Sequence, residues 1–567
     1  MKIRIPLMIQ DPATSQIANI KPTEGFDPER EDFFLDGPIT RRIAVLDFNL
    51  DTGALETGAI FKPAPPGRKL GWYQNQAGHN LYDAAGKELY SPEFMQVSVF
   101  STVLKTMYLF EKKDTLGRSL TWAFDAPQLL VVPRAGRMPN AYYHRDSHSL
   151  QFFSFEQLDT GVDIHTCLSR DIVAHETGHA IIDGIVPDLL DAATPQSLAL
   201  HEALADITAL LMAFSSHNLT KFILKKADGS IVKPTLFSTI AEEFGVARGH
   251  QDGLRNLVNN RNLDPGDHKN GVRRNEPHEL SLVLSGALYN FMSTIHEDLK
   301  LQYAQLPRYA TRKNPTYSAS GQALADGAER FKRMVFRALD YLPPGEVSYA
   351  DYGRALIAVD RVAFPDDPKM RNWMRQEFVA RHIVSSASDL ETRTGYQDDA
   401  LADVDVPTLY ESDWAAYEFA NQNRELLKIP DDVPFTVLPR LNVRKKYDYS
   451  QVRQECLFKV SWDHVEENII GSGYPRYRRI SVGTTLALDW DSGRVLARLT
   501  SAPPPVKSNK GYLTPEEQGR LAEYRLQRKD RDEFLRRLAS EDLLKVGRQA
   551  LGPDGTPLMS VIQAEET

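Results

Sequence analysis

Residues 169–184 read SRDIVAHETGHAIIDG, and this stretch decides how the rest of the chain is interpreted. Ser169 can cap the first turn of a helix, and Gly184 can end that helix. His175 and His179 are four positions apart, so a helix directs both imidazoles from one face toward one point. The stretch therefore predicts a helix that presents two metal ligands.

The pattern H-E-x-x-H is typical of a helix that binds one zinc ion through two imidazole nitrogens. Glu176 follows the first histidine and would lie beside the metal, where it can take a proton from water. The alternative is an amphipathic helix with two surface or capped histidines, because three fixed positions also match by chance.

A second helix is predicted to begin after Thr194, with a proline at its first position. This helix can pack back on the first one, so that Glu202 becomes a third ligand of the metal. A fourth position is then left for water, as in catalytic zinc sites. Asp206, four residues later on the same face, can accept a hydrogen bond from the outer nitrogen of a ligating histidine. The alternative for both carboxylates is a surface face of the helix. His201 is adjacent to Glu202, so the spacing predicts that it points elsewhere and does not bind metal.

The combination of H-E-x-x-H with a later E-x-x-x-D resembles the thermolysin-like family of zinc metallopeptidases, the gluzincins. The similarity covers about residues 30–390. Residues 140–143 (NAYY) resemble the family's edge strand, which implies that the strand at Asn140 and Ala141 pairs with a bound peptide and that the Asn140 side chain binds its backbone. The alternative for Asn140 is a turn residue at the start of a strand.

The resemblance continues downstream. Residues 252–255 (DGLR) look like the family's Leu-Arg pair, which implies that Arg255 binds a substrate carbonyl beside an apolar pocket. The alternative is a surface salt bridge. His278 resembles the late active-site histidine that hydrogen-bonds the oxyanion, and its alternative is a structural or surface histidine.

The chain also departs from the family pattern. No tyrosine occurs from Ala180 to Leu254, where the family has its transition-state tyrosine. Oxyanion stabilisation would therefore come from zinc and His278 alone, or from a tyrosine elsewhere in the chain. Asp171 matches a calcium-ligand position, but the glutamate that should join it is Ala213. A paired calcium site is therefore not expected.

The resemblance implies an α+β, two-lobed zincin fold. A boundary is expected where the chain turns acidic and loses helical periodicity, near residue 398. The predicted organisation consists of a segment at 1–30 that could be a short propeptide, an α+β lobe with the zinc-binding helices at 31–270, a helical lobe at 271–397, a β-rich extension at 398–500 and a charged, solvated helix at 513–547.

Composition excludes several classes of protein. The formal net charge is −9, so no basic field attracts nucleic acid, and two cysteines exclude a disulfide framework. Without a run of about 18 apolar residues, no membrane span is predicted. The N-terminus does not resemble a signal peptide, so a cytoplasmic location is predicted, and secretion by a signal-independent route stays open.

The sequence therefore predicts a zinc endopeptidase with Glu176 as general base, and the resemblance implies a preference for an apolar residue after the scissile bond. Its partner would be a peptide or protein substrate. Two alternatives stay open. One is a zinc-containing module that binds peptides or proteins with little turnover. In that case the C-terminal extension would bind another protein. The other is an aminopeptidase, although no motif for holding a free amino terminus is found.

Overall fold

The structure is a computed structural model. It describes residues 2–12, 15, 20–28, 30–157, 161–191, 194–240, 255–310, 312, 318–391, 404–447, 451–471, 473–504, 513, 515–551 and 557–564. Helices and sheets both contribute substantially, so the chain is an α+β protein.

The first part of the chain combines short strands with one long buried helix. The helix, α1, spans Pro92–Glu111 and begins at Ser91, whose side chain accepts a hydrogen bond from the Phe94 amide. The strands are β1 (Ile5–Met8), β2 (Thr23–Phe26), β3 (Ile43–Val45), β4 (Ile60–Lys62), β5 (Trp72–Gln74), β6 (Leu129–Val132), β7 (Ala141–His144), β8 (Ser149–Phe152), β9 (Ser154–Gln157) and β10 (Val162–His165). Short 3-10 helices lie at Leu81–Asp83, Gly86–Tyr90, Thr166–Leu168 and Ala387–Leu390.

A four-stranded sheet stands beside the H-E-x-x-H helix. Its strand order is β3-β6-β8-β7, with β7 antiparallel to β8 and the other pairs parallel. Strand β7 is therefore an edge strand of this sheet.

The H-E-x-x-H helix, α2, spans Arg170–Ile185 and is followed by α3 (Asp188–Asp191), α4 (Pro195–Phe214) and α5 (His217–Lys226). Ser169 is the N-cap of α2, although its side chain makes no capping hydrogen bond. The helix continues through Gly184, where the sequence predicted its end. A Cβ on Gly184 would lie 2.0 Å from the Thr121 carbonyl oxygen, so glycine here serves close packing.

Helix α4 is apolar over most of its length. Pro195–Phe214 is long and apolar enough, by length and composition, to cross a bilayer. In the structure 83% of the most apolar 18-residue stretch of this helix is buried. The helix packs against α2. A core helix has the same composition as a membrane span, because both are surrounded by apolar groups.

A mainly helical region follows. Strands β11 (Thr239–Ile240) and β12 (Arg255–Asn256) pair before it. The helices are α6 (Pro277–Ala304), α7 (Pro307–Ala310), α8 (Ala319–Tyr341), α9 (Tyr349–Ala363) and α10 (Lys369–Ala380).

The C-terminal extension begins with helices, where the sequence predicted a β-rich segment from residue 398. These are α11 (Val406–Glu411), α12 (Asp413–Gln422) and α13 (Arg424–Leu427). A seven-stranded sheet follows, made of β13 (Phe435–Val437), β14 (Leu441–Tyr447), β15 (Gln451–Glu467), β16 (Tyr477–Asp489), β17 (Val495–Thr500), β18 (Leu544–Leu551) and β19 (Pro557–Ala564).

The charged helix predicted at 513–547 is α14, which spans Pro515–Ser540 and ends before strand β18. It is not simply solvated. Phe534, Leu535 and Leu538 are at most 1% exposed, and Arg531 pairs with the buried Glu466 of β15. Some of its charged side chains form buried ion pairs. The number of charged residues alone does not distinguish such a helix from one whose charged side chains all face solvent.

The N-terminal segment, considered as a short propeptide, is packed into the main core. Ile3, Ile5 and Leu7 are fully buried, and strand β1 packs against α1. Glu24 pairs with Lys105 of α1 at 3.0 Å. Removal of this segment would expose apolar core.

Candidate metal centre

His175, His179 and Glu202 form one cluster. Their ligand atoms all lie within 4.8 Å of one another, so the group could hold a metal ion. The two imidazole Nε2 atoms are 3.0 Å apart, and the Glu202 carboxylate oxygens lie 3.6 Å from His175 Nε2 and 3.5 Å from His179 Nε2. Helices α2 and α4 bring the three together because they pack in close contact.

The spacing of these atoms fits a tetrahedral metal. Ligand atoms about 2.0–2.1 Å from a common centre are about 3.3 Å from one another in a tetrahedron. The three measured separations, 3.0, 3.5 and 3.6 Å, lie around that value. The donor set of two imidazoles and one carboxylate is the one found in catalytic zinc sites.

Close contact between helices α2 and α4 explains why residue 178 is a glycine. A Cβ at this position would lie 3.2 Å from the Cα of Ala205 and 3.2 Å from the Cβ of Thr208. Glycine lets the α4 backbone approach α2, which brings Glu202 within reach of both histidines.

Asp206 and Arg255 contact residues of the cluster. Asp206 is fully buried, and its Oδ1 lies 3.1 Å from His175 Nδ1. Arg255 Nη1 donates to Glu202 Oε2 at 3.0 Å and to Asp206 Oδ1 at 3.1 Å. Arg255 thus contacts the carboxylate of Glu202, one of the candidate metal ligands. Residues 252–254 of the predicted Leu-Arg segment lie outside the described residues.

His201 is part of the site, which the sequence did not predict. Its ring stacks on that of His179, with centroids 4.6 Å apart, and the two Nδ1 atoms are 2.6 Å apart. If His179 offers Nε2 to a metal, its Nδ1 carries the proton and donates to His201 Nδ1. Burial lowers the pKa of His201 to about 4, so the ring is neutral and can accept.

Glu176 lies beside the cluster and points at the edge strand. Its Oε2 accepts a hydrogen bond from the Tyr143 backbone N–H at 3.0 Å, and the residue is 8% exposed. Burial raises the pKa of Glu176 to about 7, with the Glu202 charge adding to the effect. A carboxylate with such a pKa can both take and return a proton near neutral pH.

Asn140 and Ala141 lie at the start of edge strand β7. The Asn140 Oδ1 accepts from the Ala141 backbone N–H at 2.9 Å. The amides of Ala141 and Tyr143 thus bond to Asn140 and Glu176 rather than to β8, so this row of backbone groups faces away from the sheet. The row runs beside the cluster.

His278 is half exposed and lies near Glu202. It stands at the start of α6, where the Glu276 side chain accepts from the amides of His278 and Glu279. Its Nε2 lies 3.8 Å from Glu202 Oε1, and its Nδ1 lies 3.5 Å from Glu276 Oε1. The side chain is 53% exposed and can contact a bound molecule.

Two tyrosines near the cluster have their hydroxyls engaged elsewhere. Tyr143 donates to Asp183 Oδ2 at 2.8 Å, and Tyr349 donates to the Leu280 carbonyl at 2.9 Å. Burial raises the pKa of Tyr349 well above its ordinary value, with the Glu202 charge adding to the effect.

Asp171, at the position that resembles a calcium ligand, has protein partners. The Gln10 amide donates to Asp171 at 2.5 Å, and the buried Arg170 lies 3.5 Å from it. Ala213 is buried. The expected lack of a paired calcium site stays a prediction.

No protein-family model matches this chain, and no curated protein matches it significantly. The fold and the site therefore define only a class, namely an α+β protein with a His₂Glu cluster that could hold a metal ion.

Proposed function

We propose that this chain is a zinc-dependent endopeptidase with a two-lobed, thermolysin-like fold. The observation that carries the proposal is the convergence of His175, His179 and Glu202, with the Glu176 carboxylate beside them. The resemblance to the thermolysin-like motifs supports the same activity.

His175, His179 and Glu202 would hold the zinc. A zinc ion bound there supplies Lewis-acid chemistry for hydrolysis. Asp206 and His201 orient the two imidazoles through their outer nitrogens, so the ligands need little rearrangement on binding.

Glu176 is the general base and then the general acid. It removes a proton from the attacking water and delivers that proton to the leaving amine, which needs a pKa near the working pH. Burial raises the pKa of Glu176 above its ordinary value, and its hydrogen bond to the Tyr143 amide holds the carboxylate beside the cluster.

The substrate is an extended peptide that lies along strand β7. Strand β7 is an edge strand, so the backbone carbonyls on its outer edge can accept hydrogen bonds from a peptide added as a further strand. The outward amides of Ala141 and Tyr143 are bonded to Asn140 and Glu176.

His278 donates to the developing oxyanion, and Arg255 fixes Glu202 and Asp206 near the bound peptide. An apolar residue after the scissile bond is expected from the resemblance.

One observation favours the second candidate, a zinc-containing peptide-binding module with little turnover. The hydroxyls of Tyr143 and Tyr349 are bonded to Asp183 and Leu280, so neither is available in this arrangement to assist His278.

Cleavage of a quenched-fluorescent peptide pool by the zinc-loaded chain and by Glu176→Gln tests the proposal. The variant should retain zinc and lose about 10²–10⁴-fold in kcat, whereas exposed Glu156→Gln should match the parent. N-acetylated peptides should be cut as well as free ones. Equal hydrolysis by Glu176→Gln would exclude this mechanism, and intact peptide from all zinc-loaded proteins would favour the binding module.

A further inference from the structure

Exposed aromatic side chains are concentrated in one short stretch of the C-terminal extension. Among the residues whose burial the structure describes, four aromatic side chains are classed as exposed, and three of them are Tyr410, Trp414 and Tyr417. Trp414 is 72% exposed, far more than is usual for tryptophan. These three residues are called the aromatic face.

Two of the three rings of this face pack on aromatic rings of the extension. Tyr417 stacks on Phe435, with centroids 4.9 Å apart and planes at 10°, and Tyr410 meets Trp490 edge-on at 5.6 Å. Helices α11 and α12 bury their other side, where Leu409 and Ala416 join the extension's own core. Tyr410 and Tyr417 are therefore held in place by packing, which lowers the entropy lost on binding.

Acidic residues are concentrated in the same stretch of sequence as the aromatic face. Residues 404–432 contain seven Asp or Glu and two Lys or Arg, a net charge of −5 out of −9 for the chain. Arg440 neutralises one of them by pairing with Asp413 at 2.6 Å. Glu411 is exposed between the first two aromatic residues, and Glu418 follows the third.

We propose that the aromatic face binds a Lys/Arg-rich segment of a partner protein. Ammonium and guanidinium groups bind over the faces of Trp and Tyr rings, and neighbouring carboxylates pair with the same cations. An apolar partner would desolvate these carboxylates without compensation, and an acidic partner or nucleic acid would be repelled. This role is independent of the proposed hydrolysis.

The test uses the full chain carrying Glu176→Gln, so that the probe stays intact, and a short fluorescein-labelled peptide of Lys and Arg alternating with Gly and Ser. Fluorescence anisotropy should report binding that weakens with added salt. In this background Trp414→Ala/Tyr417→Ala should weaken binding about tenfold, and Glu411→Lys/Glu418→Lys should weaken it while leaving every ring in place. Exposed Tyr90→Ala is the matched control and should bind as the parent does.

The same peptide with every Lys and Arg replaced by Glu should not bind. The proposal is overturned if the cationic peptide fails to bind, if the acidic peptide binds equally, or if both double variants bind like the parent. The last result would assign the binding to another surface, such as the cleft beside strand β7. Circular dichroism of each variant confirms that it is folded.

Discussion

At the scale of single residues, His201 is the unexpected member of the metal centre. Neighbouring helical residues point about 100° apart, so adjacency to Glu202 predicted that the ring faces away. The ring nevertheless reaches His179, because α2 and α4 approach each other closely where Gly178 meets Ala205. Spacing within one helix does not reveal how near the second helix lies.

Replacement of His201 by alanine should weaken zinc binding by about 10–100-fold, because His179 loses the partner that fixes its tautomer and ring orientation. Competition with a chromophoric chelator measures the affinity without requiring hydrolysis. His217→Ala, on an exposed position of α5, is the control. Unchanged zinc affinity in His201→Ala would show that the contact does not orient the ligand.

The cluster itself was predictable at this scale. Helical spacing brings His175 and His179 to one point, and an antiparallel return brings Glu202 to them, as the structure confirms. The interaction of Arg255 with Glu202 and Asp206 was not predictable from spacing, because it depends on where strand β12 lies relative to α4.

At the scale of elements, glycine determines how closely helices approach their neighbours. The sequence assigned Gly184 to the end of α2, since glycine is common there. Its actual role is to admit the Thr121 carbonyl, while the helix continues to Ile185. A pattern read along one segment contains no information about a loop more than sixty positions away.

Gly184→Ala should therefore destabilise the protein by about 2–4 kcal/mol, because the new methyl group overlaps backbone that cannot move freely. Gly519→Ala in α14 is the matched control, since a Cβ there meets nothing within 4 Å. It should stabilise by about 0.5–1 kcal/mol through helix propensity. Urea unfolding measures both, and equal stability of Gly184→Ala and the parent would contradict the packing described.

At the scale of the whole molecule, the extension is built into the core. Val443, Leu457 and Ala487 belong to the same apolar cluster as α1, α2 and α4. Lys445 of β14, fully buried, lies 3.1 Å from Asp340 of α8 and 3.5 Å from Glu455 of β15. The boundary near residue 398 was predicted from composition, which cannot show that later strands return to pack on earlier helices.

Lys445→Met should destabilise the whole chain by about 3 kcal/mol, because Asp340 and Glu455 stay buried after their shared cation is removed. Adjacent Lys446→Met is the control, since Lys446 is only partly buried and lies on the other face of the strand. Thermal unfolding followed by circular dichroism compares the two. If Lys445→Met lowered the unfolding temperature of the extension alone, in a transition separate from that of the rest of the chain, the two parts would not share one core.

In the proposed function, a zinc ion held by His175, His179 and Glu202 makes this chain a peptidase. Its most direct test is peptide hydrolysis during titration of zinc into the full chain after a chelator has removed bound metal. We expect no hydrolysis before zinc is added, a rate that then rises linearly with zinc, and saturation at one zinc per chain. Glu202→Ala should show no response. Hydrolysis that is independent of zinc, or one bound zinc without any hydrolysis, would contradict it.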